Sequence, residues 1–104
     1  MNIRFNNEYL EKIFRNQTVR GKPRYSAEVI SKFKKTVLTL QFLDSIRELH
    51  NLKGLNFEAL KGDYKGFHSV RVDKKYRLIL SVRAEGIIEI SEILVIEDLT
   101  NHYR

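Results

Sequence analysis

The chain contains no cysteine. That absence excludes disulfides, thiol nucleophiles and thiolate metal sites together, and it fits the reducing cytoplasm. Histidine is scarce: His50, His68 and His102 stand far apart and offer no metal-ligand spacing, so no metal and no other cofactor is expected. Long apolar runs are missing as well. The longest, Ile93 to Ile96, is far too short to span a bilayer, and Glu8 and Glu11 interrupt any signal-like start. A soluble cytoplasmic protein without membrane contact is the expectation. The one proline, Pro23, and the absence of repeats leave no interdomain linker to place.

What is present is an ordinary globular composition, 42% hydrophobic and 31% charged over 104 residues, enough for one domain spanning 1–104 with a small core. Lys and Arg number 19 against 13 Asp and Glu, a net charge of +6. That balance favours polyanionic partners, nucleic acid or an acidic protein, without choosing between them.

Along the chain, Met1 to Phe5 alternates weakly and reads as a short edge strand. Asn6 or Asn7 offers an N-cap for a first helix running to about Asn16, with Glu8 and Glu11 in its first turn. Ser26 caps a longer second helix with an apolar face of Val29, Ile30, Phe33, Val37 and Leu40 and an outer face of Lys32, Lys34 and Lys35. A short turn of helix over Ile46 to Leu49 follows, then an irregular stretch to Asn56. Ile87 to Ile96, apolar and β-branched on both faces, predicts a strand covered on both sides. Glu97 to Arg104 reads as a polar tail with at most one helical turn.

The stretch from Asn56 to Leu80 organises the rest. Residues 67 to 72 and 76 to 83 each alternate with period two. A three-residue turn, Asp73-Lys74-Lys75, keeps the faces unmixed by pairing Val72 with Tyr76, Val70 with Leu78 and Arg71 with Arg77. The hairpin then has an apolar back and a polar front carrying two arginines. The order β-α-α-β-β-β predicts an α+β fold, two helices packed on one face of a small antiparallel sheet.

The segment Phe57-Glu58-Ala59-Leu60-Lys61-Gly62-Asp63, the Ser69-Val70-Arg71 triplet and the Tyr76-Arg77 pair resemble HigB-like toxins of the RelE/ParE superfamily of toxin–antitoxin systems. The resemblance covers most of the chain and implies the compact RelE-like β-α-α-β-β-β domain already read from the pattern. It implies a ribosome-dependent mRNA endoribonuclease in which the substrate's own 2′-hydroxyl attacks the adjacent phosphate without a metal. It also implies a helix-turn-helix, HigA-like antitoxin as partner beside ribosome and mRNA, with DNA reached only through the antitoxin complex. Carried over by position, Lys61 and Arg77 are the phosphate-stabilising cations, and Asp98, His102 and Tyr103 are the acid/base candidates. Glu58 stands where several relatives place a histidine, and the tail spreads over Asp98 to Tyr103 the residue types that relatives keep contiguous.

Each assignment has a plainer rival. Lys61 beside Gly62 is also what a solvated turn looks like. Arg71 and Arg77, opposed across the hairpin, either clamp a phosphate or pair with Asp63, Glu58 or Glu89. His102 suits proton transfer but sits at a chain end; His68 alternates onto the apolar face and reads as a hydrogen-bonded core histidine. Tyr103, Tyr64 and Phe67 offer rings for base stacking, or merely cover the sheet edge. Lys65, Lys74 and Lys75 are candidate RNA-backbone contacts, or a charged turn. Two rival functions stand beside the nuclease: a ParE-like toxin that inhibits DNA gyrase without cutting RNA, and a basic binding domain that has lost toxicity.

Overall fold

A computed structural model describes residues 1–102. Five strands, β1 (Asn2–Phe5), β2 (Glu58–Ala59), β3 (His68–Arg71), β4 (Arg77–Glu85) and β5 (Ser91–Thr100), form one sheet in the order β1-β5-β4-β3-β2. Three helices, α1 (Glu8–Phe14), α2 (Ala27–Gln41) and α3 (Ile46–Asn51), accompany it. The α+β class is as expected, and α3 is the short turn of helix expected over Ile46 to Leu49, carried on to Asn51. No helix among the described residues is long and apolar enough to cross a membrane.

The caps are those the sequence offered. The Asn7 side chain accepts the Leu10 N–H at 3.1 Å, and Ser26 Oγ accepts the Val29 N–H at 3.2 Å. Leu10, Phe33, Val37 and Leu40 are fully buried against Val70, Leu78, Leu80, Leu94 and Ile96 of the sheet. Burying a Phe33-sized side chain contributes about 1.5–3 kcal/mol. The far end of α2 is tied to the N-terminus, whose ammonium donates to the carbonyls of Gln41 at 2.8 Å and Leu43 at 2.6 Å. A cation at a helix C-terminus satisfies orphan carbonyls there.

Three expectations need correction. The sheet is mixed, because β1 lies parallel to β5, Ile3 opposite Leu94 and Phe5 opposite Ile96. The helices carry the chain across the core face before it returns through β2, leaving the last strand to insert between β1 and β4. Next, Ile87, Ile88 and Ile90 are not in a covered strand. They sit, 99%, 99% and 62% exposed, in the turn that opens at Gly86, where β4 and β5 run past the helices. Finally, the supposed polar tail is largely strand. A bulge that pairs Leu80 with Ile96 but Ile79 with Asp98 leaves Glu97 extra, and Leu99 returns to the core opposite Leu78. The bulge shifts the alternation, which is why the polar residues disguised the strand.

Candidate functional site

The β3–β4 turn fixes the site's register. Asp73 Oδ1 accepts the N–H groups of Lys75 at 2.8 Å and Tyr76 at 2.6 Å, closing the odd turn. Burial opposes ionisation of this carboxyl, but those two N–H groups and the charges of Lys32 and Arg71 outweigh it and hold its pKa below the usual value. Arg71 then pairs with Arg77 and Ser69 with Ile79, as the alternation required.

The two arginines are not equivalent, and the front is not a symmetric clamp. Arg71 is exposed and turns its Nε to the Asp73 carbonyl at 3.3 Å. Arg77 is buried, its Nε donating to Ser69 Oγ at 2.7 Å and one terminal nitrogen donating to the Asn56 carbonyl and, at 3.4 Å, to the Ser69 carbonyl. Asn56 presents that carbonyl from a left-handed conformation, φ 45°, which asparagine tolerates better than most residues. The same Arg77 nitrogen lies 3.5 Å from Glu58 Oε1. Of the rival pairings for the arginines, Glu58 is the acidic residue the fold supplies. A buried guanidinium held by a fork of oxygens is fixed in position.

Glu58 reaches Arg77 because β2 pairs with β3 on the other side, Glu58 opposite Ser69. The chain then turns through Lys61 and Gly62, φ +65°, into a short 3-10 turn, Gly62–Tyr64, and back at Gly66, φ +95°. Leu60, buried, anchors this turn by its N–H on the Phe67 carbonyl at 3.0 Å. The result is an open cleft of about 660 Å³ lined by Asn56, Glu58, Leu60, Lys61, Gly62 and Arg77, with Ala59 between. One fixed cation, one exposed cation and one carboxylate thus share a cleft of a size to take a phosphodiester.

The remaining sequence candidates are more scattered. Asp98 is half-buried on β5 opposite Ile79, and its Oδ1 accepts the N–H of Leu99 at 2.8 Å. Its charge also helps raise the Tyr25 hydroxyl to a pKa of about 12, after burial, the larger cause. Thr100 pairs with Arg77, so β5 ends beside the Arg77 backbone, while the guanidinium reaches the other way, across β3. The exposed His102 lies just past that end, its N–H on Thr100 Oγ1 at 2.9 Å. Tyr103 falls outside the described residues. Tyr64 rests edge-on against Phe67, centroids 6.4 Å apart, while Lys65, Lys74 and Lys75 are exposed on turns.

His68 does face the apolar side but is not hydrogen-bonded as expected. It stacks on Phe57 with centroids 5.0 Å apart, and its buried Nδ1 has no partner among the described residues. No group of three potential metal-ligating side chains occurs among those residues. Sequence reasoning missed Asn56 and gave Ser69 no role. Ser69 had a signal, since alternation put it on the face of Arg77; the Asn56 carbonyl had none.

The fold is shared with solved toxins. A YoeB/ParE toxin from Agrobacterium tumefaciens is 19% identical, with 99% of this chain and 100% of that one aligned at a TM-score of 0.55. YafQ from E. coli strain BL21(DE3) is 14% identical, with 95% and 90% aligned at a TM-score of 0.51. At such identities the likeness carries the fold alone. No curated protein matches the chain. The family described as the HigB-like toxin, the RelE-like toxin HigB of type II toxin–antitoxin systems, matches residues 3–92. That span takes in both helix faces, the Lys61 turn and the Arg77 hairpin, and the chain therefore belongs to the HigB-like toxins of the RelE superfamily.

Proposed function

We propose that this toxin, a single domain, is a ribosome-dependent mRNA endoribonuclease of the cytoplasm, silenced by a HigA-like helix-turn-helix antitoxin through which alone it meets DNA. The observation that carries the reading is the convergence of Lys61, Arg77 and Glu58 on one open cleft. Cleavage by the substrate's own 2′-hydroxyl needs a proton acceptor, cations for the phosphorane charge and a donor for the leaving oxygen. Here Arg77 and Lys61 carry the charge. The 2′-oxygen bonds to phosphorus, its proton passes to a base, the bond from phosphorus to the 5′-oxygen breaks, and that oxygen takes up a proton. A 2′,3′-cyclic phosphate and a 5′-hydroxyl result.

Glu58 is the base this geometry favours, standing at the cleft and half exposed. Asp98, His102 and Tyr103 are the proposed source of the leaving-group proton, since β5 ends beside Arg77. Arg71, at the end of β3, and Lys65, Tyr64, Lys74 and Lys75, on the neighbouring turns, are the proposed RNA contacts, all exposed except for the half-buried Tyr64.

The test is primer extension on a reporter mRNA, with and without ribosomes, comparing the wild type with Lys61→Ala. Lys61 is exposed and leaves the core untouched when truncated. Discrete cuts within translated codons, dependent on ribosomes and lost in the variant, are expected. Intact mRNA beside arrested growth would sink the nuclease in favour of gyrase inhibition, and unarrested growth would leave only a binding domain.

A further inference from the structure

Two groups that hold Arg77 from beyond β3, the Asn56 carbonyl and the Glu58 carboxylate, flank a single residue, Phe57. Neither sits on a strong scaffold. β2 is an edge strand of two residues, joined to β3 by the pairs Glu58–Ser69 and Ala59–His68. Asn56 precedes it in a left-handed conformation, its N–H on the Lys53 carbonyl at 3.1 Å. Two ladder pairs at a sheet edge hold little by themselves, since even a full two-stranded hairpin is marginal in water. Leu60 fastens the far end of β2 through its N–H on the Phe67 carbonyl, which leaves the end nearer Asn56 to be secured.

Phe57 secures it. Its ring lies parallel to His68, at 9° with centroids 5.0 Å apart, and meets His50 of α3 edge-on, at 85° and 5.0 Å. Both are favoured arrangements of aromatic rings. The phenyl ring is thus gripped by a strand on one side and a helix on the other, and it packs on the core. Because successive side chains of an extended chain alternate, Phe57 and His68 stand behind the sheet while Glu58 and Ser69 stand in front. Asn56 and Glu58 adjoin Phe57 in the chain, and Ser69, whose hydroxyl takes Arg77 Nε at 2.7 Å, adjoins His68.

We propose that the Phe57–His68 stack, braced by His50, positions the cleft: rings behind the sheet fix the oxygens in front of it that hold the Arg77 guanidinium. Phe57 and His68 are positioning residues, since neither lines the cleft. The inference rests on the nuclease reading, because a developing phosphorane needs its cation and its base fixed in place. A misplacement of about 1 Å costs roughly 10²-fold in rate. Loosening β2 shifts both Arg77 and Glu58, so the chemical step suffers, while the exposed cations proposed to meet RNA stay where they are. Such a loss falls on kcat and spares KM.

The experiment uses the full chain with substitutions behind the sheet. Phe57→Leu and His68→Val keep apolar bulk and end the stacking. His68→Phe keeps a stacked ring and removes the imidazole, whose buried Nδ1 has no partner among the described residues. Ile13→Val is the control, lowering stability from α1, which packs on β1 at the opposite edge of the sheet from β2. Ribosome-dependent cleavage is timed below every melting transition, and exchange of the Arg77 Nε proton is followed by NMR. In Phe57→Leu and His68→Val, kcat should fall at least about tenfold with KM within about twofold, and the Nε proton should exchange at least about tenfold faster. His68→Phe should match the wild type in both, and Ile13→Val should keep the full rate.

A full rate in either folded stacking variant overturns the proposal, as does a rise in KM alone. An inactive His68→Phe overturns it too, because the imidazole and not the stack would then matter. If neither stacking variant folds, the stack is merely structural and the proposal falls. Should the wild type itself not cleave, the nuclease reading fails, and proton exchange alone decides whether the stack positions Arg77: faster exchange in the stacking variants upholds that, and unchanged exchange overturns it.

Discussion

Glu58 Oε1 stands 3.5 Å from a terminal nitrogen of Arg77 although their strands never touch; β3 lies between them and lends Ser69 to both. The pair is lopsided. The arginine is buried and already held by Ser69 and Asn56, while the carboxylate is 46% exposed at the cleft. A half-exposed ion pair contributes at most about 1 kcal/mol to stability, so Glu58 is dispensable to the fold and available to chemistry.

Glu58→Gln separates those roles. It keeps the shape and a hydrogen-bonding oxygen but removes the proton acceptor. General-base loss costs about 10²–10⁴ in rate, and the melting temperature should hardly move. Ribosome-dependent cleavage measured beside thermal unfolding decides the matter; an undiminished rate would exclude Glu58 as the base.

Arg77 behaves otherwise, because it is structural as well as charged. Arg77→Lys keeps the charge but cannot reproduce the fork onto Ser69 and Asn56. A cost of about 2 kcal/mol is expected from the acceptors left unmet, with cleavage lost. Ser69→Ala should be milder in denaturant, about 1 kcal/mol. If it only positions Arg77, it should lower kcat more than it raises KM.

The hairpin was legible because two signals agreed: the alternation of residues 67–72 and 76–83, and Asp73, whose carboxylate closes the one turn that keeps the faces apart. The helices were legible from their caps. What stayed hidden has a common cause, the distance between sequence and pairing. Whether Ile87 or Ser91 begins β5 depends on how far the helices cover the sheet, and only the bulge at Glu97 makes a strand of Glu97–Thr100. Likewise nothing local announces that Arg77 is buried. Its alternation promised a polar front, while β2 and the Asn56 turn, both brought from elsewhere, close over it.

Tyr25 gives the fold an alkaline limit. Its hydroxyl donates to the Leu99 carbonyl at 2.7 Å and its pKa is raised to about 12. The unfolded chain loses that proton near pH 10, so between about pH 10 and 12 the folded state binds more protons and stability falls as pH rises. The side chain is partly exposed, so screening limits the loss to about 1 kcal/mol. Urea midpoints at pH 9 and 11.5 should show it, and Tyr25→Phe, weaker at pH 9 by about 1 kcal/mol, should lose less between them.

Gly86 tests whether the two ends of the molecule act separately. Its φ is +125°, and a Cβ there would meet the Glu89 carbonyl oxygen at 1.9 Å. Gly86→Ala must therefore rebuild the tip that carries Ile87, Ile88 and Ile90 and loosen the adjoining pair Glu85–Ser91. The cleft around Arg77 lies toward the other end of β4, so its chemistry should be untouched. The expected result is wild-type cleavage and a stability loss of about 1–2 kcal/mol confined by hydrogen exchange to the tip. Damage to cleavage in a variant that still folds would mean that the β4–β5 hairpin communicates along its length, from the tip to the cleft.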